Sequence, residues 1–157
     1  SGFIFAFFLA AIPEEFFKFV FLRRYINSEE ADEPYDFIFY GAMISIGFAA
    51  IENVMYVYQY GLEVGIARAF TAVPMHAICG IIMGYFFGEY VFKGGSSNLA
   101  KSWIIPVVFH GLYNFLVTFT LLYLIILFIA GAYAYRLLKD VAKKQKLKNI
   151  EDEKKAI

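Results

Sequence analysis

Residues 2–22 read GFIFAFFLAAIPEEFFKFVFL, an apolar run interrupted by Glu14, Glu15 and Lys18. A bilayer core about 30 Å thick is crossed by roughly 20 apolar residues in helical form, so this run is long enough to span a membrane. A charged side chain inside such a span costs at least about 2.5 kcal/mol unless it is paired or solvated. The stretch therefore predicts a membrane helix that carries polar groups for a structural or functional reason.

The composition of the whole chain agrees with a lipid environment. Hydrophobic residues make up 61% of the 157 residues and aromatic residues 20%, and the mean hydropathy is +0.60. These values lie outside the range of soluble globular domains. A single cysteine, Cys79, excludes an internal disulfide and is most simply a packing residue. The composition therefore favours one integral membrane domain.

Four apolar stretches are long enough to cross a bilayer. The last of them would reach roughly 55 Å as one straight helix at about 1.5 Å per residue, so we predict that it is two spans with a turn at Thr118 to Thr120. The sequence thus predicts an all-α integral membrane protein, a bundle of about five transmembrane helices with a polar site inside the membrane. The four stretches are Gly2 to Leu22, Phe37 to Tyr60, Ala67 to Phe92 and Ser102 to Leu138.

The distribution of Lys and Arg predicts the orientation of the five spans. Basic residues accumulate in cytoplasmic loops near helix ends, and an odd number of spans puts Arg23, Arg24, Lys93, Lys101 and the basic tail on one side. Only Arg68 then lies among the outer loops. We predict an external N-terminus, a transmembrane bundle over residues 1–138 and a basic cytoplasmic tail over residues 139–157.

Small residues in the third span predict close packing against another helix. Gly80, Gly84 and Gly88 recur every four residues and therefore lie on one helix face. Such a stripe allows two backbones to approach closely.

Ionisable and amide side chains interrupt every main span. Left uncompensated, their combined cost would approach the stability of a typical domain, so they are expected to converge on one another or on water. Counted along straight helices, some of these side chains lie roughly 12 Å and others about 20 Å from the cytoplasmic helix ends. Two separate polar layers are therefore an alternative to convergence. Beyond the first span these residues are Glu52, Asn53, His76, His110 and Asn114.

Helix geometry predicts which of these side chains share a face. Residues four apart are neighbours along a helix, so Glu14 should pair with Lys18, and His110 with Asn114. Glu15 points about 100° away from Glu14.

The order of these motifs resembles a known family. Glu14-Glu15 followed by Lys18, then His76, then HGLYN from His110 to Asn114, resembles the PrsW family of membrane proteases, relatives of the CAAX prenyl protease superfamily. Two positions depart from the pattern of the broader superfamily. Lys18 stands one position before the place where that superfamily has an arginine, and Ala72 stands where it has a phenylalanine. These departures favour a PrsW-like member.

The resemblance implies cleavage of a peptide bond in a membrane-anchored protein, which for PrsW itself is an anti-sigma factor, and a prokaryotic cell membrane as the location. The expected partners are the lipid bilayer and that protein substrate, with no nucleic acid.

Peptide hydrolysis needs an activated water, a stabilised oxyanion and a proton for the leaving amine. In a metal-free version, Glu14 or Glu15 is the general base, with Glu14 preferred. His110 and Asn114 donate hydrogen bonds to the oxyanion, and His76 holds the water or carries its proton.

A competing version binds zinc through His76, His110 and one glutamate, a His2Glu ligand set in which Glu52 is the candidate carboxylate and leaves Glu14 and Glu15 for base chemistry. The chain lacks HExxH, so both versions stay open. A membrane transporter also places carboxylates and histidines inside the membrane, and it is the alternative function from another class. A non-catalytic membrane scaffold is the third.

Overall fold

The computed structural model describes residues 2–119 and 121–155, and within these ranges the chain forms helices and no strand. The first helical segment comprises α1 (Gly2–Ile4), a π-helical stretch at Phe5–Ala11 and α2 (Ile12–Arg23), and a short 3-10 turn at Arg24–Asn27 follows it. The α-helices are α1 Gly2–Ile4, α2 Ile12–Arg23, α3 Pro34–Tyr60, α4 Leu62–Phe70, α5 Ala72–Lys93, α6 Ser96–Leu116 and α7 Tyr123–Lys155.

The predicted all-α bundle is confirmed, because each of the five predicted spans corresponds to a long helical segment. The predicted division of the last apolar stretch is also present, since α6 ends at Leu116 and α7 begins at Tyr123. Thr118 and Phe119 lie in the turn between them, while Thr120 falls outside the described residues. Among the described helices, Pro34–Tyr60 and the segment Leu62–Lys93 are long and apolar enough by themselves to cross a membrane.

The start of the third span was predicted wrongly. Its apolar run begins at Ala67, but α5 begins at Ala72, because Thr71 takes a non-helical backbone conformation (φ −127°, ψ −65°) and separates α5 from α4. Gly61 separates α4 from α3 with φ +93°, a conformation that glycine adopts without strain. The nine residues of α4 are therefore a separate short helix beside the second and third spans.

The predicted start of the fourth span was also wrong, because the sequence analysis begins that apolar stretch at Ser102 and thereby leaves Lys93 to Lys101 as a polar loop. Gly94 and Gly95 turn the chain with φ +76° and +92°, and α6 already begins at Ser96. The side-chain amide of Asn98 donates to the carbonyl oxygen of Gly94 at 3.1 Å, which stabilises the turn. Lys101 thus lies in the second turn of a helix rather than in a loop.

The predicted packing of the glycine stripe is confirmed, and α3 is the helix that lies against it. A Cβ atom added at Gly80 would overlap the carbonyl oxygen of Gly41, and one added at Gly84 would overlap the backbone of Phe37 and Ile38. At Gly88 an added Cβ would approach the carbonyl oxygen of Pro34 to 2.9 Å. The two backbones are thus in direct contact along three helical turns, which fixes α5 against α3.

The first helical segment packs on α6 through an aromatic side chain. The Phe7 ring occupies the space that a Cβ atom at Gly111 would need. Phe7 belongs to the π-helical stretch, which runs directly into Pro13, Glu14 and Glu15. Wider π-helical turns often occur beside functional sites, and this one immediately precedes the helix that carries the two glutamates.

The residues predicted to form a separate tail continue α7 without a break at residue 138. Tyr85 donates a hydrogen bond to Asp140 at 2.7 Å, and Gln145 donates to Glu33 at 2.8 Å, so α7 docks on α5 and on the start of α3. Lys144 hydrogen-bonds Asp140 and thereby holds the pKa of that carboxyl below its ordinary value. The side of the membrane on which this end lies stays a prediction.

The glycine contact between α3 and α5 predicts opposite effects of the same substitution at two positions. Gly84→Ala should lower stability by about 1–3 kcal/mol, because the methyl group would overlap the α3 backbone. Gly47→Ala is the matched control, since an added Cβ there meets no atom within 4 Å and alanine favours helix by up to about 1 kcal/mol. Thermal unfolding in detergent measures both, and equal midpoints for the two variants would contradict the packing.

Candidate functional site

A lysine and a glutamate of α2 form a fully buried ion pair. Lys18 Nζ donates to Glu15 Oε1 at 2.6 Å, and the two side chains are 1% and 0% exposed. The predicted pairing of Lys18 with Glu14 was therefore wrong. Glu15 and Lys18 face the interior of the bundle, whereas Glu14 is only partly buried and faces a cleft. The two adjacent glutamates thus have different surroundings.

Lys18 also joins α2 to α5 through His76. Its ammonium lies 2.7 Å from His76 Nδ1, and because a lysine ammonium has donors and no acceptor, Nδ1 accepts this hydrogen bond. In the neutral imidazole the hydrogen is then on Nε2. His76 Nε2 lies 3.0 Å from Glu52 Oε2 and donates to it, so this network reaches α3.

His110 has the opposite arrangement of donor and acceptor. Its Nδ1 lies 2.8 Å from Glu15 Oε1, and the carboxylate accepts the hydrogen that Nδ1 carries. The remaining nitrogen, Nε2, keeps a free lone pair and lies 3.8 Å from Glu14 Oε2. Glu15 therefore fixes His110 with its lone pair toward Glu14.

These contacts form one connected network. The rings of His76 and His110 are 4.7 Å apart between centroids in an edge-to-face arrangement. Lys18, Glu15 and His110 link α2 with α6, and Lys18, His76 and Glu52 link it with α5 and α3. The predicted convergence is thus present, and the alternative of two separate polar layers does not apply to these side chains.

A metal-binding geometry is present around Glu14. One ligand atom from each of Glu14, His76 and His110 lies within 4.8 Å of the others. Glu14 thus occupies the place that the sequence analysis gave to Glu52, which instead accepts hydrogen bonds from His76 and from Arg68 at 2.8 Å. The Glu52-containing ligand set stays a prediction, and the geometry favours the set with Glu14.

A cleft of about 630 Å³ reaches this network between the first helical segment, α4 and α6. Glu14 and Glu52 lie in its wall, and so does Asn114, one turn after His110. Phe5, Leu9 and Val64 contribute apolar wall on the other sides. The cleft therefore connects the exterior of the bundle with Glu14, while Glu15 and Lys18 lie behind it.

Sequence reasoning missed one charged residue of this region. Arg68 lines the cleft, and its guanidinium both donates to Glu52 and stacks on the Tyr56 ring at 3.6 Å from the centroid. The available signal was its exception to the charge distribution, since Arg68 is the one basic residue predicted among the outer loops. The contact of Arg68 with Glu52 could not be predicted without knowing that α4 folds back over α3.

The fold and this network define a helical membrane protein with an internal carboxylate–histidine site. A sequence model described as PrsW family intramembrane metalloprotease matches residues 1–136. The chain belongs to this family. It is similar to proteins named Protease PrsW from several bacteria, while no solved structure matches it.

The protein from Oceanobacillus iheyensis is 41% identical over 143 residues, which cover 85% of this chain and 66% of that protein. The one from Geobacillus kaustophilus is 41% identical over 114 residues, covering 71% and 51%. The one from Bacillus subtilis is 34% identical over 122 residues, covering 75% and 56%. The chain therefore spans between half and two thirds of the length of these relatives.

The buried network predicts that the two adjacent glutamates differ in their effect on stability. Glu15→Gln should lower the stability by about 3–5 kcal/mol, because it leaves the Lys18 ammonium buried without its carboxylate. Glu14→Gln should cost much less, since Glu14 faces the cleft.

The double variant Glu15→Gln/Lys18→Met removes both charges and should regain part of the lost stability. Unfolding midpoints in one detergent test this, and a Glu14→Gln variant as unstable as Glu15→Gln would argue against the described geometry.

Proposed function

We propose that this chain carries the catalytic site of an endopeptidase that hydrolyses a peptide bond of a membrane-anchored protein, with Glu14 as the residue that activates water. The observation that carries the proposal is the cluster of Glu14, His76 and His110, in which Glu14 also lines the wall of a cleft. Family membership supports the reaction class.

Glu14 is favoured over Glu15 as general base because of what each carboxylate contacts. A general base needs a carboxylate oxygen that water can reach. Glu15 is 0% exposed, and its Oε1 accepts from Lys18 and from His110. Its Oε2 has no hydrogen-bond partner among the described residues, but Glu15 does not line the cleft. Glu14 lines the cleft, and its buried Oε2 has no hydrogen-bond partner among the described residues. A water in the cleft can supply that missing donor.

The hydrogen-bond pattern suggests a division of the remaining roles. His110 Nε2 keeps its lone pair and lies 3.8 Å from Glu14 Oε2, so one water can hydrogen-bond to both atoms. His110 is then the residue that orients the water, a role the sequence analysis gave to His76. Asn114 on the cleft wall supplies a neutral donor for the oxyanion, and His76 stays bound to Glu52.

The residues around Glu14 also fit a zinc ion in kind and spacing. Two histidines and one carboxylate within 4.8 Å form a His2Glu set, and Glu15 on His110 Nδ1 is the type of support that metal-ligating histidines commonly have. When bound, zinc supplies Lewis-acid chemistry that polarises a carbonyl group and makes water a stronger acid.

To bind an ion through Nε2 as a neutral imidazole, His76 would have to carry its hydrogen on Nδ1 instead, and Lys18 would then no longer donate to Nδ1. Glu14, His76 and His110 are the residues that would hold the ion.

The substrate class follows from the position of the site. A cleft with apolar walls that leads to carboxylates inside a membrane bundle suits an extended segment of a membrane-anchored protein. An anti-sigma factor is the first candidate, because the resemblance to PrsW suggests one.

Cleavage of candidate single-span proteins by the purified chain tests the proposal. Glu14→Gln should slow cleavage about 10²–10⁴-fold, the usual contribution of a general base. Glu63→Gln is the matched control, because Glu63 is an exposed carboxylate on α4. Bound zinc is measured on the same samples, and zinc that is stoichiometric in the wild type and lost in His110→Ala selects the metal version.

Two results would overturn the proposal. One is cleavage by Glu14→Gln at the wild-type rate. The other is a folded wild type that cleaves none of the substrates and instead passes ions in sealed vesicles, which would establish a transporter.

A further inference from the structure

We infer that Arg68 is a positioning residue, which acts through Glu52 to hold His76 in its place at the site. The inference rests on the proposed function, and it assigns a role to α4, the short helix that the sequence analysis did not separate from the third span.

A single carboxylate oxygen connects α4 with the site. Arg68 donates to Glu52 Oε2 at 2.8 Å, and His76 Nε2 donates to the same oxygen at 3.0 Å. A carboxylate oxygen has two lone pairs, so Oε2 is saturated by these two donors. The position of Arg68 therefore determines where Glu52 presents its acceptor to His76.

The surroundings make this pair stronger than a surface ion pair. The Arg68 and Glu52 side chains are 17% and 21% exposed, and the Tyr56 ring covers the guanidinium at 3.6 Å. Partial exclusion of water strengthens a charged contact, and the stacked ring keeps the planar guanidinium in one orientation. Arg68 is thus held from two sides, by a charge and by an aromatic face.

The backbone that carries Arg68 is fixed as well. Asn53, the neighbour of Glu52 in α3, donates its side-chain amide to the carbonyl oxygen of Gly65 at 3.1 Å. Gly65 packs so closely on Val57 that an added Cβ would overlap that side chain. Consecutive residues of α3 therefore bind α4 through its backbone and through Arg68.

Charge balance explains why Glu52 needs this cation. Glu14, Glu15 and Glu52 lie in or behind the cleft, and Lys18 is already bound to Glu15 and His76. Without Arg68, the Glu52 carboxylate would face Glu14 across the cleft with no cation of its own. It would turn toward water, and His76 would lose the acceptor of its Nε2 hydrogen.

Kinetics and histidine NMR on the whole chain in detergent test the inference. Arg68→Gln should lower kcat about 10–100-fold, the usual effect of losing a residue that supports a catalytic histidine, and KM should stay within about twofold. Arg68→Lys should restore part of the loss. The double variant Arg68→Gln/Glu52→Gln should be no slower than Glu52→Gln alone, because Arg68 acts through Glu52.

Lys93→Gln is the matched control, because it removes the ion pair between Lys93 and Glu89, which is remote from the cleft. The chain has two histidines, and selective ¹⁵N labelling gives signals from both. The signals that disappear in His110→Gln are those of His110, which assigns the remaining signals to His76. In Arg68→Gln the Nε2 and attached hydrogen signals of His76 should shift and those of His110 should stay, whereas Lys93→Gln should move neither.

The inference is overturned if the rate losses of Arg68→Gln and Glu52→Gln multiply in the double variant. It is also overturned if the His76 signal is unchanged in Arg68→Gln. If the folded wild type cleaves no substrate and instead passes ions in sealed vesicles, the proposed function fails, and the His76 signal alone decides whether Arg68 positions this histidine.

Discussion

The ammonium of Lys18 lies in the interior of an apolar helical bundle, where a charge is stable only beside groups that compensate it. It finds the Glu15 carboxylate on its own helix and the Nδ1 atom of His76 on α5. Glu15 in turn receives His110 from α6, and His76 reaches Glu52 on α3. Satisfying one buried cation therefore brings together the four helices that build the site.

Helix packing supplies the rest of the geometry. The contact of the glycine stripe with α3 brings Glu52 within hydrogen-bonding distance of His76, and the Phe7 ring on Gly111 holds the first helical segment against α6. The two adjacent glutamates then diverge, with Glu15 inside the network and Glu14 at the cleft. Neighbouring residues of the same type thus acquire different roles, one structural and one proposed to be catalytic.

The sequence predicted those parts of the molecule that depend on local pattern and on the cost of burying charge. The lengths of the apolar stretches predicted the helices and the turn before Tyr123. The cost of burying isolated charges predicted that Glu14, His76 and His110 converge. Spacing four residues apart misassigned the partner of Lys18, because residues three apart also share a helix face and Glu15 is the glutamate that is buried beside Lys18. The role of Arg68 was not predicted, because its contact with Glu52 depends on an interruption of the helix at Thr71, inside an apolar run.

Glu14 can activate water only if water reaches the carboxylate–histidine network through the cleft, and the reactivity of an introduced thiol reports whether it does. Cys79 is fully buried and the only cysteine, so Cys79→Ser provides a background without other thiols. In that background, Asn114→Cys on the cleft wall should react with a charged, water-soluble methanethiosulfonate, while Ser45→Cys, buried between α3 and α5, should not. Reaction at residue 114 alone is the predicted result, and a residue 114 as unreactive as residue 45 in folded protein would contradict the account.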